Sequence, residues 1–234
     1  MSPTHGQAAG ERFDPTTQEE LPSTAVTRLH LLRHGEVESF GERVVRGQLD
    51  APLTERGRGQ HRVLAEWLVD CEAAPQRIYT SDLSRCEHLA RELETRTGLT
   101  AERDPRLREQ SMGAWQGRTW GAITREDAAR IHAYWNDYVN VRPPGGESLR
   151  ELSGRVADWW EALRPELEDR RVAVVTHVGV IRALLCHLLD VPAEHALRFA
   201  PAVASHTAVL VSDAGAVLAA LGERPWLKGP EAAP

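Results

Sequence analysis

Two histidines and two arginines follow apolar runs that have the character of buried strands. Arg33 and His34 end the run "LHLLRH". Arg85 lies shortly after "RIYTS", and His177 ends "RVAVVTH". Basic side chains at the tip of a buried strand are costly unless an anion meets them there. Arginine offers forked donors to phosphate oxygens, and a neutral imidazole can attack phosphorus. These residue types therefore indicate a site for a phosphate dianion.

A carboxylate in the loop "LREQSMGAWQG" is a candidate proton donor. Glu109 lies there among glycines and polar residues, and the sequence gives it no evident packing role. Cleavage of a phosphate ester requires a proton for the departing oxygen, which a positioned carboxyl group can supply. We therefore expect Glu109 to lie beside the basic residues and to act as the general acid.

The elements that must position these residues alternate between short strands and amphipathic helices. Apolar runs predict strands at 29–32, 77–81 and 171–177 and a closing hairpin of 208–211 and 216–221. Apolar residues at helical spacing predict four helices between and after these strands. The signals that bound them are Thr54 before the first, Gly98 after the second, a capping box of Ser148 and Glu151 at the third, and Pro192 after the fourth.

This order of elements predicts an α/β fold, a three-layer α/β/α sandwich with a mainly parallel sheet and one antiparallel edge strand. In open parallel sheets the functional site lies beyond the carboxyl ends of the strands. The basic residues that follow the three predicted strands are therefore expected to converge at one edge of the sheet.

The chain is expected to form one domain with two tails. Residues 1–27 are polar and aperiodic and predict a mobile N-terminal tail, and residues 229–234 predict a C-terminal one. The domain would then span 28–228. An insertion at about 115–145 contains Trp115, Trp120, Tyr134, Trp135 and Tyr138. It is expected either to cap the pocket and stack on an organic group, or only to pack against the domain.

Composition excludes several classes of function. The 234 residues carry a net charge of −6, which argues against binding to nucleic acid or to a membrane surface. No apolar stretch is long enough for a transmembrane helix or a signal peptide. The three cysteines, Cys71, Cys86 and Cys186, show no CxxC spacing and favour a reducing cytoplasm over a disulfide framework or a zinc site.

Five motifs occur in the order in which one known family has them. They are "LLRHGE", "YTSDLSRCEHLA", "LREQSMGAWQG", "PPGGESLRELSGRV" and "VVTHVGVIRALL". Over about residues 28 to 226 the chain resembles the histidine phosphatase superfamily, in its phosphoglycerate mutase-like branch. The resemblance implies that branch's fold and a metal-independent phosphatase, which hydrolyses a small phosphomonoester through a phosphohistidine.

The resemblance also implies roles for individual residues. His34 would be the phosphorylated nucleophile, and Glu109 the general acid that later activates water. Arg33, Arg85 and His177 would bind phosphate within the catalytic site. Gly35 and Val178 would add contacts to phosphate or substrate. The resemblance implies no cofactor and no metal, and it admits a homodimer, although no exposed apolar stripe in the sequence indicates an interface.

The chain departs from the family pattern at three positions. The family usually has Thr or Ser where Val37 lies, and an asparagine that contacts phosphate where Phe40 aligns. Val178 replaces the first of two glycines after the second histidine. One phosphate contact is therefore either missing or supplied by another residue.

Two other functions remain open at this point. The first is a cofactor-dependent phosphoglycerate mutase. The pair Met112-Gly113, where mutases typically have Tyr-Gly, and the short separation between Glu109 and His177 favour a phosphatase instead. The second is a noncatalytic module that binds a phosphorylated ligand, which the departures at Val37 and Phe40 keep open.

Overall fold

The computed structural model describes residues 25–38, 44–70 and 74–227. The predicted tails lie outside these ranges except for residues 25–27, and Phe40 and Cys71 also lie outside them. The division of the chain into tails, domain and cap stays a prediction.

The strands of the described chain form one six-stranded sheet. They are β1 (Thr27–Arg33), β2 (Arg77–Thr80), β3 (Glu102–Arg103), β4 (Arg171–Thr176), β5 (His206–Ser212) and β6 (Gly215–Glu223). Their order is β3-β2-β4-β1-β5-β6, and β1 to β4 pair in parallel. Strand β5 is antiparallel to both β1 and β6. The predicted mainly parallel sheet with antiparallel pairing towards one edge is confirmed, with β6 as the edge strand.

The strand sequences suit a sheet that is covered on both faces. Val172, Val174 and Val175 of β4 are fully buried, and β-branched side chains pack well on a pleated surface. Strand β3 is not among the predicted strands because its two residues, Glu102 and Arg103, are both exposed and show no apolar alternation.

Helices cover both faces of the sheet. Those in the described chain are α1 (Glu55–Asp70), α2 (Ser84–Thr97), α3 (Trp120–Glu126), α4 (Ala128–Asn136), α5 (Leu149–Leu163) and α6 (Val178–Leu188). Helices α1 and α2 pack against the face that includes Leu32 and Val175, and α5 and α6 pack against the face that includes Leu31 and Val174. The predicted three-layer sandwich is therefore confirmed. In the described part of the chain no helix has the length and apolar character needed to cross a membrane.

Three helix boundaries have the capping that their residues predict. The Thr54 hydroxyl accepts the N–H of Gly57 at 2.9 Å at the start of α1. Ser148 and Glu151 form the capping box of α5. Gly98 ends α2 with a φ of 72°, a left-handed conformation that glycine adopts without a steric penalty.

Helices α3 and α4 form most of the aromatic insertion and have a small core of their own. Its buried residues are Val45, Met112, Trp115, Ile123, Ile131 and Tyr134. Backbone pairing of Val44 with Thr119 joins this insertion to the loop that follows β1. The insertion is therefore packed in a fixed place beside the ends of the parallel strands.

Candidate active site

The basic residues of the sequence analysis meet at the carboxyl ends of three neighbouring parallel strands. The register pairs Arg33 at the end of β1 with Thr176 at the end of β4, and Thr80 of β2 with Val175. A cavity of about 590 Å³ lies at this edge of the sheet. The candidate site residues that line it are Arg33, His34, Gly35, Arg85, Glu109 and Val178.

The imidazole of His34 is buried and held in one tautomer. Its Nδ1 lies 2.8 Å from the carbonyl oxygen of Gly35, and since a carbonyl oxygen only accepts, Nδ1 carries the proton. Burial, reinforced by the charges of Arg85 and Arg33, holds the pKa of His34 well below its ordinary value. The ring is therefore neutral at physiological pH and has a lone pair on Nε2, the form that can attack phosphorus.

Arg33 and Arg85 have no carboxylate within ion-pair distance among the described residues. Arg33 donates from Nη1 to the carbonyl oxygen of Pro201 at 2.8 Å, and its buried Nε has no partner in the part of the chain that the structure describes. Arg85 is 1% exposed and donates to the carbonyl oxygens of Leu49 at 2.9 Å and Gly47 at 2.8 Å. Main-chain carbonyls thus hold both guanidinium groups while leaving their charges available to a dianion.

His177 lies next to His34 and Arg85, on the side away from the cavity. It is fully buried, and its ring centroid is 5.2 Å from that of His34. Arg85 donates from Nε to Nδ1 of His177 at 3.3 Å, and Nε2 of His177 lies 2.9 Å from the hydroxyl of Ser81. His177 is absent from the described residues that line the cavity. The ring therefore supports Arg85, and its direct contact with phosphate stays a prediction.

The carboxylate of Glu109 lines the cavity at the start of α6. Its Oε1 accepts the main-chain N–H of Gly179 at 3.1 Å and that of Gln110 at 2.9 Å. Amides in the first turn of a helix have no partner within the helix, so they are free to bind an anion. The two N–H groups therefore fix the carboxylate in the cavity that contains His34.

Arg155 of α5, which the sequence analysis did not select, holds the loop that carries Glu109. It donates to the carbonyl oxygens of Arg106 at 2.6 Å, Arg108 at 2.7 Å and Glu109 at 3.0 Å. Its guanidinium also forms a 2.6 Å ion pair with Glu147. Among so many arginines, no spacing in the sequence distinguishes this one.

His61 of α1 fixes the loop that follows the candidate nucleophile, and it was also missed. Its Nε2 accepts the main-chain N–H of Gly35 at 2.6 Å, and the ring is fully buried. Burial, with the nearby His88, lowers the pKa of His61 to about 3, so the ring stays a neutral acceptor. Its helical spacing from the buried Leu64 and Leu68 is the signal that could have identified it.

The outer wall of the cavity is aromatic and contains two further arginines. Trp120, Tyr134 and Trp135 of the insertion line it, as do Arg46 and Arg182. The wall thus combines flat apolar surfaces with positive charge.

The arrangement joins the parts of a phosphoryl-transfer site. A neutral histidine, two arginines that pair with no carboxylate among the described residues, and the carboxyl group of Glu109 surround one cavity beyond a parallel sheet. They can bind a phosphate dianion, attack its phosphorus and donate a proton to the leaving oxygen. Within the described ranges, no group of three or more His, Cys, Asp or Glu side chains is arranged to hold a metal ion. Fold and site together define a histidine-based phosphoryl-transfer protein.

The chain belongs to the histidine phosphatase superfamily (branch 1), whose family model matches residues 29–224. It is 38% identical over 177 residues to the glucosyl-3-phosphoglycerate phosphatase of Mycobacterium tuberculosis, covering 70% of this chain and 76% of that protein. It is 31% identical over 198 residues to the adenosylcobalamin/alpha-ribazole phosphatase of Salmonella typhimurium, covering 84% and 96%. The crystal structure of the alpha-ribazole phosphatase from Shigella flexneri matches with a TM-score of 0.78 at 29% identity, covering 84% and 96%. The expected family and fold are confirmed.

Two of the three departures from the family pattern lie on the cavity wall. Val37 and Val178 both line the cavity, and Val178 is the first residue of α6. Phe40 lies outside the described residues. The wall is therefore more apolar at these two positions than the family pattern implies.

Proposed function

We propose that this chain hydrolyses a small phosphomonoester through a phosphohistidine formed on His34. One observation carries the proposal: Nδ1–H of His34 is bound by the carbonyl of Gly35, which leaves Nε2 unprotonated in a cavity lined by Arg33 and Arg85. The named relatives are phosphatases, which supports hydrolysis as the outcome of the transfer.

In the first transfer, the lone pair on Nε2 of His34 forms a bond to phosphorus while the bond from phosphorus to the ester oxygen breaks in line. Glu109, entering this step as a carboxylic acid, gives its proton to the departing oxygen, so the leaving group departs as a neutral alcohol. The phosphoryl group is then held on the imidazole.

In the second transfer, water attacks the phosphorus of phosphohistidine. Glu109 is now a carboxylate and takes a proton from this water as the new bond forms. The bond from phosphorus to Nε2 breaks, and its electron pair returns to the ring of His34. Inorganic phosphate leaves, and both side chains recover their starting protonation.

Positive charge around the phosphoryl oxygens stabilises both transition states. Arg33 and Arg85 supply forked donors, and the main-chain N–H of Val178, at the start of α6 on the cavity wall, can add a further contact. The N–H of Gly35 is donated to His61, so a contact from Gly35 would have to come from another part of its main chain. Nδ1 of His177 accepts a hydrogen bond from Nε of Arg85 and so helps to hold the guanidinium group in place. Its role as a direct phosphate ligand remains part of the proposal.

We propose that the aromatic insertion binds the organic part of the substrate. Trp120 and Trp135 line the cavity, and Trp135 is 51% exposed, whereas Trp115 is 1% exposed inside the core of the insertion. The insertion therefore contains aromatic residues for packing and others available to a ligand. Phosphate esters of the kinds named for the relatives, glucosyl-3-phosphoglycerate and alpha-ribazole phosphate, are the first substrates to test.

We also propose that the protein is located in the cytoplasm. Cys86 and Cys186 are free and buried, which supports a reducing compartment and hence the cytoplasm. We further propose that the chain forms a homodimer without nucleic-acid or membrane partners.

Turnover of p-nitrophenyl phosphate in EDTA tests the proposed reaction. We expect phosphate release by the wild type, loss of release in His34→Ala, and unchanged release in His132→Ala, which removes an exposed histidine of the insertion. A parallel assay of 3-phosphoglycerate with 2,3-bisphosphoglycerate separates hydrolysis from mutase activity. Interconversion of phosphoglycerates without phosphate release would contradict the phosphatase proposal.

A further inference from the structure

Arg46 adds a positive charge to the cavity, and no described carboxylate pairs with it. It lies in the loop between β1 and α1 and lines the same cavity as His34 and Arg85. Its Nη1 is buried and has no hydrogen-bond partner among the residues that the structure describes. A buried donor without a partner is costly, so such an atom indicates a missing acceptor.

The backbone at Arg46 is fixed relative to Arg85. The carbonyl oxygen of the next residue, Gly47, accepts from Nη2 of Arg85 at 2.8 Å, and the carbonyl oxygen of Arg46 accepts the N–H of Leu49 at 2.9 Å. Gly47 has a φ of +52°, and an added Cβ there would lie 2.9 Å from the carbonyl oxygen of Gln110. The loop therefore holds the backbone of Arg46 close to Arg85.

No carboxylate of the described chain lies within ion-pair distance of Arg46. Burial and the charge of Arg85 both lower its pKa. Arg46 and Arg85 line the same cavity, and within the described residues no carboxylate pairs with either of them, an arrangement that an incoming anion would relieve.

We propose that Arg46 is a further ligand of the transferred phosphoryl group, to which it donates from Nη1 beside Arg85. This inference rests on the proposed function, because it assigns the anion to the phosphoryl site. The alternative acceptor, a second anionic group on the substrate, would lie with the leaving oxygen near Glu109. The Glu109 carboxylate acts to raise the pKa of Arg33 and of Arg182, whereas the charge that acts on the pKa of Arg46 is that of Arg85, which lowers it.

Equilibrium binding of inorganic phosphate tests the proposal without requiring turnover. Titration calorimetry at fixed ionic strength would compare the wild type, Arg46→Gln and Arg125→Gln. The last variant removes an exposed charge from α3 and serves as the matched control. We expect Arg46→Gln to weaken phosphate binding by about tenfold or more, the usual loss for a hydrogen bond to a charged group, and Arg125→Gln to bind like the wild type.

A second substitution, Arg46→Lys, keeps the proposal testable if Arg46→Gln does not fold. Arg46→Lys keeps the charge but loses the planar fork, so we expect phosphate binding roughly threefold weaker than in the wild type and stronger than in Arg46→Gln. Thermal unfolding of each variant would show whether it is folded. If Arg46→Gln does not fold, Arg46→Lys decides the question by the same titration.

Phosphate binding by a folded Arg46 variant that equals that of the wild type would overturn the role of Arg46. If this variant also lost kcat/KM for 3-phosphoglycerate alone, Arg46 would be assigned to the leaving group instead. If the wild type binds phosphate but hydrolyses no ester, the proposed phosphatase activity is wrong. The titration would still test whether Arg46 binds phosphate.

Discussion

The main-chain N–H of Gly179 holds the carboxylate of Glu109 at 3.1 Å, so the second residue of α6 fixes the candidate proton donor. A Cβ added at Gly179 would collide with Oε1 of Glu109 and lie 3.1 Å from Leu152. The need for glycine at this position therefore comes from the carboxylate of Glu109 and not from a turn.

Substitution of Gly179 should displace Glu109 without removing it. We expect Gly179→Ala to lower kcat about tenfold or more, because small misplacements of a reacting group are costly. The matched control is Gly154→Ala on the exposed face of α5, where an added Cβ meets no atom within 4 Å. Equal kcat in Gly179→Ala and the control would contradict the positioning role.

Removal of the proton donor should affect poor leaving groups most. We expect Glu109→Gln to lower kcat/KM for an alkyl phosphate by about 10² to 10⁴, the usual contribution of general acid catalysis. The loss with p-nitrophenyl phosphate should be smaller, since p-nitrophenolate departs without protonation. The exposed Glu168→Gln serves as the control. Equal losses for both substrates would exclude Glu109 as the general acid.

Buried neutral histidines should make the fold sensitive to acid. Burial lowers the pKa of His30 and His61 to about 3 and that of His34 and His177 well below 6.5. The unfolded chain then binds more protons than the folded one between pH 6.5 and about 3. The free energy of unfolding should therefore be highest above pH 6.5 and fall as the pH decreases.

A single substitution tests the size of this effect. Each such histidine contributes up to about 1.4 kcal/mol per pH unit to the slope of stability. We expect urea unfolding between pH 6 and 4 to show a shallower slope for His61→Gln than for the wild type. The exposed His132→Gln should keep the wild-type slope. A wild-type slope in His61→Gln would show that His61 does not titrate as its burial implies.

The tryptophans of the insertion should divide into two groups. We expect Trp120→Ala and Trp135→Ala to lower kcat/KM for esters with aromatic or sugar leaving groups while leaving inhibition by inorganic phosphate unchanged. Trp115→Ala should instead destabilise the fold by about 3 to 5 kcal/mol, because its side chain is 1% exposed. If Trp120→Ala and Trp135→Ala leave kcat/KM unchanged for every ester, stacking on the leaving group is wrong.

The sequence predicted the parts of the fold that depend on local pattern. The apolar run of β4 and the capping box of Ser148 and Glu151 are each specified by neighbouring residues, and the structure contains both. Strand β3 was missed because its pairing with β2 comes from the backbone, and its side chains at Glu102 and Arg103 face water.

The candidate site could be predicted where a residue follows a strand. His34 and Arg33 are placed by the end of β1, and the parallel register brings them to the other strand ends. The places of Arg46 and His61 in the site were missed because they follow from contacts between residues far apart in the sequence: Gly47 next to Arg46 accepts from Arg85, and His61 accepts from Gly35. The helical spacing of His61 shows only that it is buried. The orientation of His177 likewise follows from contacts with Arg85 and Ser81 that no spacing reveals.

The most direct test of the account is to trap the phosphoenzyme. Rapid acid-free quenching during turnover of a ³²P-labelled ester, followed by peptide mapping, would locate any base-stable, acid-labile phosphate. We expect a label on the peptide that contains His34 and none in His34→Ala, while His132→Ala labels like the wild type. Turnover by His34→Ala at the wild-type rate, or a label on another residue, would contradict the central claim.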